Sequence, residues 1–276
     1  MDYKTVADLA ECIRTRLPEK MPGDVDLIVG IPPSGTIAAN LISLRLNRRV
    51  LDVDGYLAAS KRKGPKSDPK HILLVDDSVT TGLRCETAKK TLIVATERAG
   101  DRITSLAVYG VPGASGGCDI TLEDVPLPRL FEWSYMHHAL LADSCLCLDG
   151  VLCSEPRTAE SDDGGHYRKF LKTTPPLIIP SVEIGAIITC RLEKYRSLTE
   201  DWLHRHGIRY RNLIMMETLT KTTKTVLSNR WQFKVNAFKR TAGRLFIEND
   251  PVQAKAIAQQ SLLPVLCVSL NKMIDP

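Results

Sequence analysis

The stretch HILLVDDSVTTG, residues 71–82, decides the fold class and points to the chemistry of this chain. Its apolar start is typical of a buried strand, and a helical pattern follows from about Leu83 to Ala95. Asp76 and Asp77 stand at the carboxyl end of the predicted strand. The hydroxyl-rich turn that follows brings backbone N–H groups of the helix start together, an arrangement that binds phosphate.

Two further features precede this stretch in the sequence. LIVGIPPSGT, residues 27–36, predicts a strand that ends in a turn of small residues before a helix from Thr36 to Leu46. LAASKRKGPKSDPK, residues 57–70, contains five basic residues, two prolines and no apolar period, which predicts a mobile loop. Between them, Arg49 to Val53 reads as a strand.

In this order and spacing, over roughly residues 25–110, the three features resemble the pyrophosphate loop, flexible loop and 5-phosphoribosyl-1-pyrophosphate (PRPP) motif of type I phosphoribosyltransferases. The resemblance implies Mg2+ held by Asp76 and Asp77 through PRPP or water. It implies that the catalytic groups are Lys61, Arg62, Lys63, Asp76 and Asp77. It implies that PRPP is bound by Pro32, Pro33, Ser34, Gly35, Ser78, Val79, Thr80, Thr81 and Gly82. Arg84 departs from the pattern, because the family often carries a small Ser or Thr there.

The aromatic-rich segment FEWSYMHH, residues 131–138, has two interpretations. It follows the last predicted strand of the first half, where the family places a variable hood, and its rings could stack on a planar acceptor. An interdomain core segment explains the same residues equally well.

SCLCLDGVLC, residues 144–153, resembles the first motif of the haloacid dehalogenase superfamily, an apolar strand followed by D-x-D-G-V. The resemblance extends to a strand at Ile184–Thr189 and an acidic segment, LFIEND. It implies a site built from Cys147, Asp149, Thr189, Lys234, Glu248 and Asp250. Cys147 takes the place of the nucleophilic aspartate, and a thiol lacks the hard oxygen that Mg2+ prefers. We therefore expect a catalytically degenerate site with negligible phosphatase activity. Arg191 directly follows Thr189 and Cys190 at the strand edge, where a phosphate contact and a role without one are equally open interpretations.

Length and composition set the domain organisation and exclude several protein classes. The 276 residues allow two domains, 1–140 and 141–276, and the composition, 43% hydrophobic and 25% charged, is that of a folded globular chain. Alternating strand and helix patterns predict an α/β fold of two Rossmann-like parallel-sheet domains, phosphoribosyltransferase-like and then haloacid dehalogenase-like. No apolar run reaches the roughly 20 residues of a membrane span. The cysteine spacing indicates reduced thiols. The N-terminal residues do not have the pattern of a secretory signal, so we expect a cytoplasmic protein.

The charge distribution raises the question of a partner. Residues 1–140 contain 18 basic and 18 acidic residues, whereas 141–276 contain 19 and 14. Between residues 191 and 244 there are 13 basic residues against 4 acidic ones. Such a segment is either a solvated helix face or a surface for nucleic acid or an acidic protein.

Three functional hypotheses remain open from the sequence. The first is an enzyme that transfers phosphoribose from PRPP to an unidentified acceptor, with Mg2+ and release of pyrophosphate. The second is a non-catalytic module that senses PRPP or nucleotides, because a fold does not fix its function. The third is an effector within a larger complex. A homo-oligomer is a further expectation.

Overall fold

The computed structural model describes residues 1–61, 70–96, 102–113, 117–160, 164–217 and 223–276. These divide into two compact units, a first unit of residues 2–133 and a second unit of residues 134–276 with Met1. The boundary expected near residue 140 lies inside the second unit. Each unit is a mixed α/β structure built on a mainly parallel sheet.

The first unit contains, in chain order, β1 (Asp2–Lys4), α1 (Val6–Lys20), β2 (Leu27–Gly30), α2 (Gly35–Leu46), β3 (Arg49–Asp52), α3 (Val53–Ser60), β4 (His71–Ser78), α4 (Leu83–Thr96), β5 (Arg102–Gly110), β6 (Ile120–Asp124) and β7 (Arg129–Phe131). Its main sheet has the order β3-β2-β4-β5-β6, with every pair parallel. Strands β1 and β7 form a separate parallel pair. Because β2 and β4 are neighbours, the loops that follow them leave the same edge of the sheet.

Helix α1 is capped at its N-terminus by Thr5 and Asp8. The Thr5 hydroxyl accepts a hydrogen bond from the backbone N–H of Asp8, and the Asp8 carboxylate accepts one from the backbone N–H of Thr5, so both N–H groups at the helix start have partners. The helix buries Leu9, Ile13 and Leu17 in the core between α1, α2 and the sheet. Helices α1 and α2 therefore pack against one face of the sheet.

Strand β4 is longer than the apolar run that predicts it. It continues through Asp76 and Asp77 to Ser78, because β5 runs beside it and pairs Asp76 with Ala107 and Ser78 with Tyr109. The two carboxylates therefore belong to the end of a buried strand rather than to a turn.

The prediction of a loop over residues 57–70 is wrong for residues 57–60. Residues 57–60 complete helix α3, whose N-terminus is capped by Asp52 accepting from the N–H of Gly55 at 2.7 Å. Tyr56 is buried and anchors the helix to the sheet core. The prolines and the glycine that suggested a loop all lie after Ser60, and residues 62–69 lie outside the described part of the chain.

The second unit contains short 3₁₀ turns at Tyr135–His137, Ala139–Asp143, Thr158–Glu160 and Glu193–Tyr195, together with β8 (Ser144–Leu146), α5 (Gly165–Thr173), β9 (Ile184–Leu192), α6 (Arg196–Arg205), β10 (Tyr210–Met216), α7 (Thr223–Lys239), β11 (Leu245–Glu248), α8 (Pro251–Ser261), β12 (Val265–Cys267) and β13 (Lys272–Ile274). The sheet order is β10-β9-β8-β11-β12-β13, parallel except for the last pair. Helix α6 begins at Arg196, after β9 has paired with β10 as far as Leu192.

No described helix is long and apolar enough to cross a membrane. The cysteines are free thiols, and most of them are buried.

Candidate functional site

In the first unit, two loops meet at the carboxyl edge of the sheet. The first loop, residues 31–35, follows β2, and the second loop, residues 78–82, follows β4. The N–H of Ile31 donates to the carbonyl of Val75 at 2.9 Å, which joins the first loop to β4. Gly35 then passes so close to β4 that a Cβ would lie 2.7 Å from the Val75 oxygen and 3.0 Å from the Asp76 Cα. Only glycine lets α2 start this near the carboxylates.

The start of α2 leaves its backbone N–H groups without a side-chain cap. Ser34 is the N-cap residue and makes no capping hydrogen bond, while the Thr36 hydroxyl donates to the carbonyl of Pro33. The second loop ends at Gly82, which adopts a φ of 73° before α4 begins. Both loops therefore lead into helix N-termini, which favour an anion.

Asp76 and Asp77 lie beneath these loops. Their exposures are only 1% and 4%, and the N–H of Asp77 donates to Asp76 Oδ1 at 3.0 Å. Burial, and then the negative charge of Asp77, raise the pKa of Asp76 to about 7. The ligand-free site therefore holds a carboxylate that is costly to ionise and well placed to accept hydrogen bonds.

Two residues support the site through contacts that the sequence did not indicate. Trp133 donates its Nε1–H to Asp77 Oδ2 at 2.7 Å. Arg129, 4% exposed, donates from Nη2 to the carbonyl of Val79 at 2.8 Å, and from Nη1 to the carbonyls of Gly110 and Val125. It therefore fastens the second loop to the end of β5.

The aromatic segment at residues 131–138 divides between the units. Tyr109, Phe131 and Trp133 stack in series, with ring centroids 5.5 Å and 5.0 Å apart, and pack in the core of the first unit. Residues from Ser134 onward belong to the second unit. Phe131 and Trp133 thus have a packing role, and Trp133 also orients Asp77.

The remaining residues predicted for this site differ in exposure. Gly35 and Gly82 are buried, and the partly buried members are Pro32, Ser34, Ser78 and Val79. The exposed members are Pro33, Lys61, Thr80 and Thr81. Arg62 and Lys63 lie outside the described residues.

In the second unit, the predicted residues also come together at a sheet edge. Asp149 follows β8, Thr189 lies in β9 and Glu248 ends β11, and these strands are neighbours. Thr189 Oγ1 lies 3.5 Å from Asp149 Oδ2. Cys147 is buried, and burial raises the pKa of its thiol well above the usual range.

The partly buried carboxylate of Asp149 and the buried one of Glu248 are each paired with a cation of the protein itself. Arg191, 1% exposed, donates from Nη2 to Asp149 Oδ1 at 2.6 Å and from Nε to both oxygens at 3.1 Å. Lys234 Nζ lies 2.6 Å from Glu248 Oε2, and both side chains are buried. Asp250 caps α8 by accepting from the N–H groups of Val252 and Gln253.

These contacts alter two expectations from the sequence. Arg191 contacts Asp149 in place of an external phosphate. Arg191 and Lys234 also lie inside the protein, so they add nothing to a basic surface at residues 191–244. Arg196 is tied to Glu193 and Glu200, which neutralises part of the same segment.

The two clusters differ in their fit to Mg2+. Within the described residues, no group of three His, Cys, Asp or Glu side chains is arranged to hold a metal ion. Asp76 and Asp77 offer two hard oxygen donors, so a bound molecule or water would have to supply the other ligands. The second cluster does not fit, because Cys147 offers sulfur while Asp149 and Glu248 are already neutralised.

No protein-family model matches the sequence, and no curated protein matches it. Among solved structures, the chain resembles xanthine-guanine-hypoxanthine phosphoribosyltransferase of Helicobacter pylori, with 19% identity, 48% of this chain and 90% of the other covered, and a TM-score of 0.40. It also resembles a purine phosphoribosyltransferase of Pyrococcus horikoshii, with 21% identity, 49% and 95% covered, and a TM-score of 0.35. Orotate phosphoribosyltransferase of Aeropyrum pernix gives 18% identity, 43% and 71% covered, and a TM-score of 0.32.

Proposed function

We propose that this chain is a phosphoribosyltransferase that transfers phosphoribose from PRPP to an acceptor, with release of pyrophosphate. The observation that carries the proposal is the convergence of the two loops on the buried pair Asp76 and Asp77. Gly35 brings the start of α2 against the same strand end from which the second loop leaves. PRPP carries a phosphate and a diphosphate on one sugar. These two groups match two anion-binding helix starts on either side of sugar-binding carboxylates.

In the proposed reaction, the bond from ribose C1 to the diphosphate oxygen breaks and its electron pair leaves with pyrophosphate. A bond from the acceptor atom to C1 forms, and the acceptor's proton passes to solvent. Asp76 and Asp77 hold the ribose hydroxyls, and the second loop, with Thr80 and Thr81, holds the 5-phosphate. The first loop holds the diphosphate. The site therefore acts mainly by positioning and by stabilising charge.

Mg2+ fits this site as a partner of the substrate. Asp76 and Asp77 would hold it through PRPP or water, and its charge would neutralise the diphosphate when bound. Lys61, at the end of α3, and Arg62 and Lys63 after it are proposed to add positive charge over the departing pyrophosphate.

We propose for the second unit a haloacid dehalogenase-like fold without phosphatase activity. The two internal ion pairs, Asp149 with Arg191 and Glu248 with Lys234, support this, because they occupy the carboxylates that would otherwise bind a metal ion. A cytoplasmic location and a homo-oligomer stay predictions from the sequence, as does a nucleic-acid or protein partner.

A sensing module that binds PRPP without turnover is the alternative for the first unit. Binding alone does not separate the two, whereas turnover does. The test is pyrophosphate release from PRPP and Mg2+ across a panel of nucleobases, amines and sugars, with the combined variant Asp76→Asn, Asp77→Asn as the control. Release that depends on one acceptor and disappears in the control supports the enzyme. PRPP binding without release from any acceptor would favour the sensor.

A further inference from the structure

Arg84 connects the two loops of the first unit. It is the second residue of α4, directly after the second loop, and its side chain is exposed. Its Nη2 donates a hydrogen bond across to the carbonyl of Pro32 in the first loop. The guanidinium therefore lies at the junction where the two loops meet.

The position of this cation is unfavourable without an anion beside it. The first turn of a helix carries partial positive charge, so an arginine there is repelled by the helix dipole. Its hydrogen-bond partner, the Pro32 carbonyl, is neutral and compensates less than a carboxylate would. Asp76 lies close enough to feel the charge, since Arg84 lowers the pKa of that carboxyl against the larger effect of burial.

The Arg84 side chain also has hydrogen-bond donors that its contact with Pro32 does not use. A guanidinium has five N–H groups in a planar fork, and the contact with Pro32 uses one nitrogen. Among the described residues, Pro32 is the hydrogen-bond partner of this guanidinium, so its remaining donors can reach phosphate oxygens while it stays near the first loop. A lysine ammonium lacks this fork.

We propose that Arg84 binds the diphosphate of PRPP between the two loops and neutralises the charge that develops as pyrophosphate leaves. This rests on the proposed function and adds to it a substrate-contacting residue on α4. The bond changes are those given above, and Arg84 transfers neither a proton nor electrons. The alternative is that Arg84 only ties the loops together through Pro32.

The test compares ligands that do and do not contain the diphosphate. Binding of PRPP, pyrophosphate and ribose 5-phosphate, each with Mg2+, is measured by calorimetry for the wild type, Arg84→Met and Arg84→Lys. Arg16→Met, which removes an exposed arginine from α1, is the matched control. Arg84→Met is expected to weaken PRPP and pyrophosphate binding roughly tenfold to a hundredfold. Ribose 5-phosphate binding should stay within about twofold, and Arg84→Lys should fall between.

The outcomes separate this proposal from the proposed function. Equal losses for all three ligands would show that Arg84 is only a clamp between the loops, and unchanged PRPP binding would overturn its role altogether. In both cases the wild type still binds PRPP, so the PRPP site on which the proposed function rests is retained. A wild type that binds none of the three ligands would refute both proposals.

Discussion

Replacing Asp76 by asparagine should stabilise the ligand-free protein. The carboxyl is 1% exposed, and burial together with Asp77 raises its pKa from 3.8 to about 7. At pH 8 the folded protein therefore ionises a group that is easier to ionise in the unfolded chain. This difference corresponds to about 4 kcal/mol of lost stability, which Asp76→Asn should recover. An amide oxygen keeps the acceptor for the N–H of Asp77.

The gain must depend on pH in one direction. A carboxyl whose pKa is raised by folding favours the folded state below its unfolded pKa, and that contribution is lost as pH rises through 4 to 7. The variant should therefore gain about 4 kcal/mol at pH 8 and below about 1 kcal/mol at pH 4.

Urea unfolding at pH 8, 6 and 4 measures this difference. Asp54→Asn, which changes an exposed carboxyl on α3, is the control and should leave stability nearly unchanged at each pH. A variant no more stable than the wild type at pH 8, or a gain of equal size at pH 4, would refute the account of Asp76 as a desolvated and repelled carboxylate.

Three further predictions concern the supporting residues. Trp133→Phe removes the donor to Asp77 but keeps an aromatic ring, so PRPP affinity should fall roughly tenfold in calorimetry; unchanged affinity would show that Asp77 needs no positioning. Arg191→Met leaves the partly buried carboxylate of Asp149 without its partner and should cost a few kcal/mol in urea unfolding, less than the roughly 3–5 kcal/mol of a fully buried pair; a neutral effect would mean the pair is solvated. Cys147→Asp should give no Mg2+-dependent phosphatase activity, because Arg191 still holds Asp149; activity in this single variant would show that the site is blocked at one position only.

The sequence predicts the local parts of the first site well. The apolar run before Asp76 and the small-residue turn before Thr36 each identify a strand, a loop and a helix, since these patterns reflect interactions between near neighbours.

The contacts that assemble each site are not local, and sequence patterns do not contain them. Trp133 reaches Asp77 across 56 residues, and Arg129 reaches Val79 across 50. Arg191 pairs with Asp149 across 42 residues, and from the sequence its basic charge suggested a phosphate contact instead. Helix α3 was missed because the loop-forming residues that follow it dominate the composition of the segment.

The most direct test of the PRPP site, on which the proposed function rests, is calorimetric titration of PRPP with Mg2+ into the wild type and into Asp76→Asn, Asp77→Asn. We expect saturable binding of one PRPP per chain to the wild type, and none to the double variant. Absence of binding to the folded wild type at millimolar PRPP would contradict it, and so would equal binding to both proteins.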